Sequence, residues 1–108
     1  MRQIESEKYL EAKLRREIEK RGGLALKLTS QLHRGLPDRL VLMPGGLAYF
    51  VEVKTTGKKP TDLQTATHHR LSDLDFVVAV VDSTESLDVF LAIVDTANRA
   101  IQARRAQQ

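Results

Sequence analysis

The chain contains no cysteine, which excludes a disulfide framework, a thiolate metal site and a cysteine nucleophile. That absence fits a reducing cytoplasm without proving one. Tryptophan is also missing and aromatic residues make up only 5%, which disfavours a protein that stacks single-stranded bases on exposed rings. No apolar run approaches the roughly 20 residues that a membrane span needs, so no membrane partner is expected. The amino-terminal stretch MRQIESEKYL mixes charged and apolar residues and does not read as a signal peptide.

What is present points to one folded domain spanning 1–108. Hydrophobic residues reach 42% of 108, enough for one core and too few for two. Charged residues reach 29%, so the surface is well solvated. The net charge of +3 and a pI near 9.4 are compatible with a polyanionic partner. They do not decide the matter, because nucleic-acid binding needs several cations gathered on one face.

Periodicity gives the order of elements. Leu10, Leu14 and Ile18 recur every four residues and predict a helix from about Ile4 to Arg21, ended by Gly22-Gly23. A short strand is expected over Leu24 to Leu28 and a loop from Thr29 to Pro37. Strands follow at Asp38–Met43 and Leu47–Lys54, joined by Pro44-Gly45-Gly46 as an antiparallel hairpin. After a polar loop, Thr61 or Asp62 caps a helix to about Leu74, with Leu63, Ala66, His69 or Arg70, and Leu74 on its inner stripe. Phe76 to Val81 is almost wholly apolar and predicts a strand buried on both faces. Asp82-Ser83-Thr84-Glu85 resembles a capping box. It opens a last helix to about Arg104, carrying Leu87, Phe90, Leu91, Val94 and Ile101 on one stripe, and the tail is expected to fray. The strand–helix–strand unit should cross over right-handed, making those strands parallel. The predicted architecture is therefore α/β, an αβββαβα core with a mixed four-stranded sheet flanked by helices.

Two charges look misplaced on the third strand. Alternation sets Ala48, Phe50, Glu52 and Lys54 on one face and Leu47, Tyr49, Val51 and Val53 on the other. Both faces begin apolar, so the strand should be central, and a carboxylate and an ammonium there must be partly desolvated. The hairpin brings Asp38 near Glu52. Two close carboxylates repel unless a cation lies between them, and oxygen ligands with open positions suit Mg²⁺ or Mn²⁺. Lys54, two residues on, points into the same pocket. A structural ion pair, Glu52 with Lys54 or Asp38 with Arg39, is the alternative.

Arg34-Gly35-Leu36-Pro37-Asp38, then Glu52-Val53-Lys54, then Gln64 early in the next helix, resembles the PD-(D/E)xK nucleases, and more narrowly their VRR-NUC (virus-type replication-repair nuclease) group. The resemblance implies a restriction-endonuclease-like core that hydrolyses DNA phosphodiesters with Mg²⁺ or Mn²⁺. It implies Asp38, Glu52 and the backbone carbonyl of Val53 as metal ligands, Lys54 as the group that orients water, and Gln64 over the same pocket. It also implies a first-helix Glu near the metal: Glu7 is the choice, with Glu5 and Glu11 as rivals. Stand-alone members of this small size resemble phage or prophage enzymes acting on branched DNA such as the four-way (Holliday) junction, where a homodimer would supply two sites, and this implies the cytoplasm of a bacterial or phage-infected host cell as the setting. Part of its surface is sought on the last helix, around Leu87 to Val94.

Candidate DNA contacts are Arg34, Lys58 and Lys59, although loop cations are commonly just solvated. His68 lies one turn beyond Gln64 and could touch phosphate, but a surface or rim position is commoner for such a residue. His33 with His68-His69 does not make a zinc set. A non-cleaving DNA- or protein-binding module on the same fold, and a nuclease directed at RNA, are the competing functions.

Overall fold

The computed structural model describes residues 3–29 and 33–108. The order is α1 (Glu7–Lys20), β1 (Leu24–Lys27), β2 (Arg39–Met43), β3 (Leu47–Val53), α2 (Asp62–Asp73), β4 (Val77–Val81) and α3 (Thr84–Ala106). This is the expected αβββαβα order. Residues 30–32, inside the loop expected over Thr29–Pro37, lie outside the described residues.

The four strands form one mixed sheet in the order β1-β2-β3-β4, with β1–β2 and β2–β3 antiparallel and β3–β4 parallel. The β2–β3 hairpin closes between Met43 and Leu47, and Gly45 and Gly46 both take positive φ in its turn. Any side chain at Gly45 would also press on Ile101, its Cβ falling 2.9 Å from that residue's Cγ2. Glycine is therefore required there twice over, by conformation and by space.

The core lies on one face of the sheet. Leu10, Leu14 and Ile18 of α1 and Leu87, Phe90, Leu91 and Val94 of α3 pack on Val41, Tyr49, Val51, Val53 and Val81. Tyr49 and Phe90 meet edge to face at 5.7 Å. Each buried Leu contributes about 2 kcal/mol through removal from water. Arg21, which caps the carboxy-terminal end of α1, pairs with Asp95 in the middle of α3 at 2.7 Å.

Four expectations change. β4 is not buried on both faces: as the last strand it forms a sheet edge, and Val77 and Val80 are exposed. The inner stripe expected on α2 is not the one used; Leu63 is 52% and Leu74 68% exposed, while His68 is the buried residue of that helix. The last helix runs to Ala106, two residues beyond its expected end near Arg104. Finally, the Leu87–Val94 segment considered for a dimer surface is divided: Leu87, Phe90, Leu91 and Val94 are core residues committed to the sheet, and Val89 and Ile93 are exposed. No helix among the described residues is long and apolar enough to cross a membrane.

Candidate functional site

The hairpin register sets the site. Arg39 pairs with Val51, so Asp38, one residue before β2, stands at the level of Glu52. Its Oδ2 accepts a 2.8 Å hydrogen bond from the Val53 N–H. This bond ties Asp38 to the backbone of the next strand and holds its carboxyl beside that of Glu52, close enough for the two to share a proton.

Glu52 is fully buried and, besides Asp38, carries three side-chain partners. Lys54 Nζ lies 3.7 Å from Oε2, Gln64 Nε2 donates to Oε2 at 3.3 Å, and His68 Nε2 meets Oε1 at 3.3 Å. Burial first, then the shared hydrogen bond and charge of Asp38, push the Glu52 carboxyl up to about 8; Lys54 pulls it down and Glu7 adds to the rise. His68 is shifted the other way. Burial lowers it, as do the His69 and Lys54 charges, against an upward pull from Asp38, so the imidazole beside Glu52 favours its neutral form.

α2 presents its partners through its own first turn. Thr61 Oγ1 accepts from the Gln64 N–H at 3.2 Å and Gln64 Oε1 accepts from the Thr61 N–H at 2.8 Å, a reciprocal cap. The Gln64 amide is thereby fixed with its oxygen on the helix end and its nitrogen on Glu52. His68 follows at i+4 on the same face. Gly35, in the segment leading to Asp38, sits under α2 with φ +93°; a Cβ there would lie 2.8 Å from Leu63 O.

The start of α1 is tied to the same corner. Thr56 is buried, its N–H donates to Glu5 O and its Oγ1 accepts from the Glu5 N–H, both at 3.0 Å, while the same hydroxyl donates to Asp82 O at 2.6 Å. The Glu7 N–H donates to Thr55 Oγ1 at 3.2 Å. Of the three first-helix acids, Glu5 is occupied elsewhere: its carboxylate accepts from the Thr84 N–H and hydroxyl at the start of α3. Glu11 faces Arg39 at 3.8 Å. Glu7 is the one whose charge is felt by Glu52.

The structure thus brings together Asp38, Glu52, Lys54, Gln64 and His68, with Glu7 at the edge. Arg34, Lys58 and Lys59 are exposed on flanking loops. His68 is not the rim residue expected but a buried partner of Glu52. The sequence held a signal for it, the i, i+4 spacing from Gln64. Thr56 was not anticipated at all, and no motif marks it.

Among the described residues no group of three or more His, Cys, Asp or Glu converges as a metal cage. What exists is a pair of carboxyls, one of them buried and proton-hungry, which fits a divalent ion that keeps most of its waters and rejects a fully protein-liganded zinc.

No protein-family model matches the sequence. A relative does: "Putative nuclease p44" of Acyrthosiphon pisum secondary endosymbiont phage 1 is 42% identical over 87 residues, covering 81% of this chain and 94% of the relative. A solved VRR-NUC domain superposes with a TM-score of 0.76 at 31% identity, covering 82% of this chain and 97% of that one. The chain belongs to the VRR-NUC family. Within a VRR-NUC fold the corner described above lies where β3 ends, between the Asp38 turn and the first turn of α2. The VRR-NUC chain therefore carries a nuclease fold in which Asp38, Lys54 and Gln64 each meet Glu52 at that corner.

Proposed function

We propose that this chain is a Mg²⁺- or Mn²⁺-dependent DNA endonuclease acting on branched DNA, such as the four-way junction, as a homodimer. The observation that carries the proposal is the meeting of Asp38, Glu52 and Lys54 at one buried point in a nuclease fold. Asp38, Glu52 and the Val53 carbonyl would hold the divalent ion. When bound, the ion supplies positive charge to a phosphate oxygen and lowers the pKa of water.

The chain's own residues do the rest. Lys54 holds the attacking water by a hydrogen bond and offsets the negative charge that grows on the phosphoryl oxygens. Gln64 and neutral His68 keep the Glu52 carboxylate in one orientation. Water adds to phosphorus as the bond to the 3′ oxygen breaks, leaving a 3′-hydroxyl and a 5′-phosphate. Lys58, Lys59 and Arg34, exposed on the loops flanking the site, would position a phosphate backbone without reading sequence. Two strands of a junction must be cut, and a homodimer supplies the second site.

The test is incubation of labelled four-way junction, flap and linear duplex with Mg²⁺, Mn²⁺ or EDTA, in DNA and RNA versions. Metal-dependent nicking of the branched DNA, lost in Asp38→Ala and Lys54→Ala, is expected. Tight binding with no cleavage in either metal would make the chain a binding module instead.

A further inference from the structure

Helix α3 has two apolar sides. Leu87, Phe90, Leu91 and Val94 face the sheet, while Val89, 65% exposed, and Ile93, 43% exposed, point away from it. Together with Ala92, Ala97 and Ala100 they line a shallow groove of about 600 Å³. A second groove of about 310 Å³ shares Val89 and Ile93 and runs along β4, the exposed sheet edge. Isolated exposed valines need no explanation, but a continuous apolar strip beside an unpaired, uncharged strand is a surface that soluble proteins usually cover.

The charges on α3 indicate what covers it. Glu85 and Asp88 lie in its first two turns, and Arg99, Arg104 and Arg105 toward its end. Glu85 and Arg104 are exposed, and neither forms an ion pair among the described residues. At about 100° per residue both fall in line with the Val89–Ala100 stripe, one at each end. If two copies of the helix meet antiparallel about an axis at the middle of the stripe, Glu85 faces Arg104 of the partner subunit, and the pair occurs twice. The same axis sets Val89 against Ala100 of the partner subunit, large against small, and Ala92 against Ala97 of the partner subunit, where two small side chains let the helices approach closely. A parallel arrangement would set acid on acid and base on base.

We propose that this face is where two copies of the chain meet, α3 against α3 in antiparallel register, with the Glu85–Arg104 pairs closing its ends. The proposal rests on the homodimer of the preceding section and not on its chemistry. Since the amino-terminal end of α3 abuts the Thr56–Asp82 corner, this dimer carries its two acid sites at opposite ends of the helix pair.

Sedimentation equilibrium of the full chain over a range of concentrations at low salt tests it. The wild type should sediment at twice the 12.1 kDa chain mass. Ile93→Glu, Glu85→Arg and Arg104→Glu, each with unchanged circular dichroism, should weaken the dimer by about tenfold or more. The Glu85→Arg/Arg104→Glu double swap should recover most of that loss. A wild type that stays monomeric, a dimer indifferent to Ile93→Glu, or a double swap no tighter than either single change would each overturn the proposal. Junction cleavage is scored on the same samples: a monomer that cuts removes the dimer and leaves the nuclease, and a dimer that does not cut does the reverse.

Discussion

The Gln64 side-chain amide donates to Glu52 Oε2 at 3.3 Å while its oxygen accepts from the Thr61 N–H at 2.8 Å. One residue thus ends a helix and holds a buried acid, and the two duties can be separated by mutation. Glu suits the capping position, so Gln64→Glu keeps the helix end but replaces the donor facing Glu52 with a second negative charge. We expect cleavage to fall at least about tenfold with the thermal midpoint nearly unchanged, whereas Gln64→Ala loses both and costs about 1 kcal/mol as well. Paired cleavage assays and thermal melts check this.

The second prediction concerns pH. Glu52 has an ordinary value of 4.5 and is pushed up to about 8 in the folded chain. In that interval the folded state keeps a proton that the unfolded chain has released. The stability Glu52 contributes is therefore fully present below 4.5 and is lost as pH rises through about 8. Urea titrations in EDTA should show wild type losing stability relative to Glu52→Gln across this window. Divalent-ion affinity should move oppositely and rise with pH, because the ion displaces that proton. An equal pH slope in both proteins would contradict the assignment.

Gly35 predicts a backbone effect on the site. Its φ of +93° and the 2.8 Å approach of any Cβ to Leu63 O leave no room for a side chain. Gly35→Ala should cost at least about 1–2 kcal/mol and, by shifting the turn that delivers Asp38, reduce cleavage more than the stability loss alone accounts for. Denaturant midpoints beside cleavage rates separate the two effects.

The core predicts a contrast between leucines. Leu14→Ala, at a fully buried position, should cost about 2–5 kcal/mol. Leu63→Ala, half-exposed on α2, should stay within about 0.5 kcal/mol. Urea unfolding of the two variants decides.

These contrasts mark what could be read from the sequence. The alternation of β3 and the Pro-Gly-Gly turn were enough to place Asp38 level with Glu52, because period and register are local properties. The role of β4 was not readable. Val77–Val81 has the composition of a buried strand, and only the sheet order, with nothing added beyond β4, makes it an edge. α2 misled for a related reason: its inward face covers a polar site, so Gln64 and His68 point in while Leu63 and Leu74 point out. The tie of Glu5 to Thr84 spans 79 residues and left no local trace.

The central claim is that Asp38 and Glu52 share one divalent ion beside Lys54. An anomalous difference map from a crystal soaked in Mn²⁺ at a pH above 8 tests it most directly. The account predicts one strong peak at about 2 Å from a carboxylate oxygen of each acid, absent in Glu52→Gln. A peak elsewhere, or none while the wild-type crystal retains both acids in place, would contradict it.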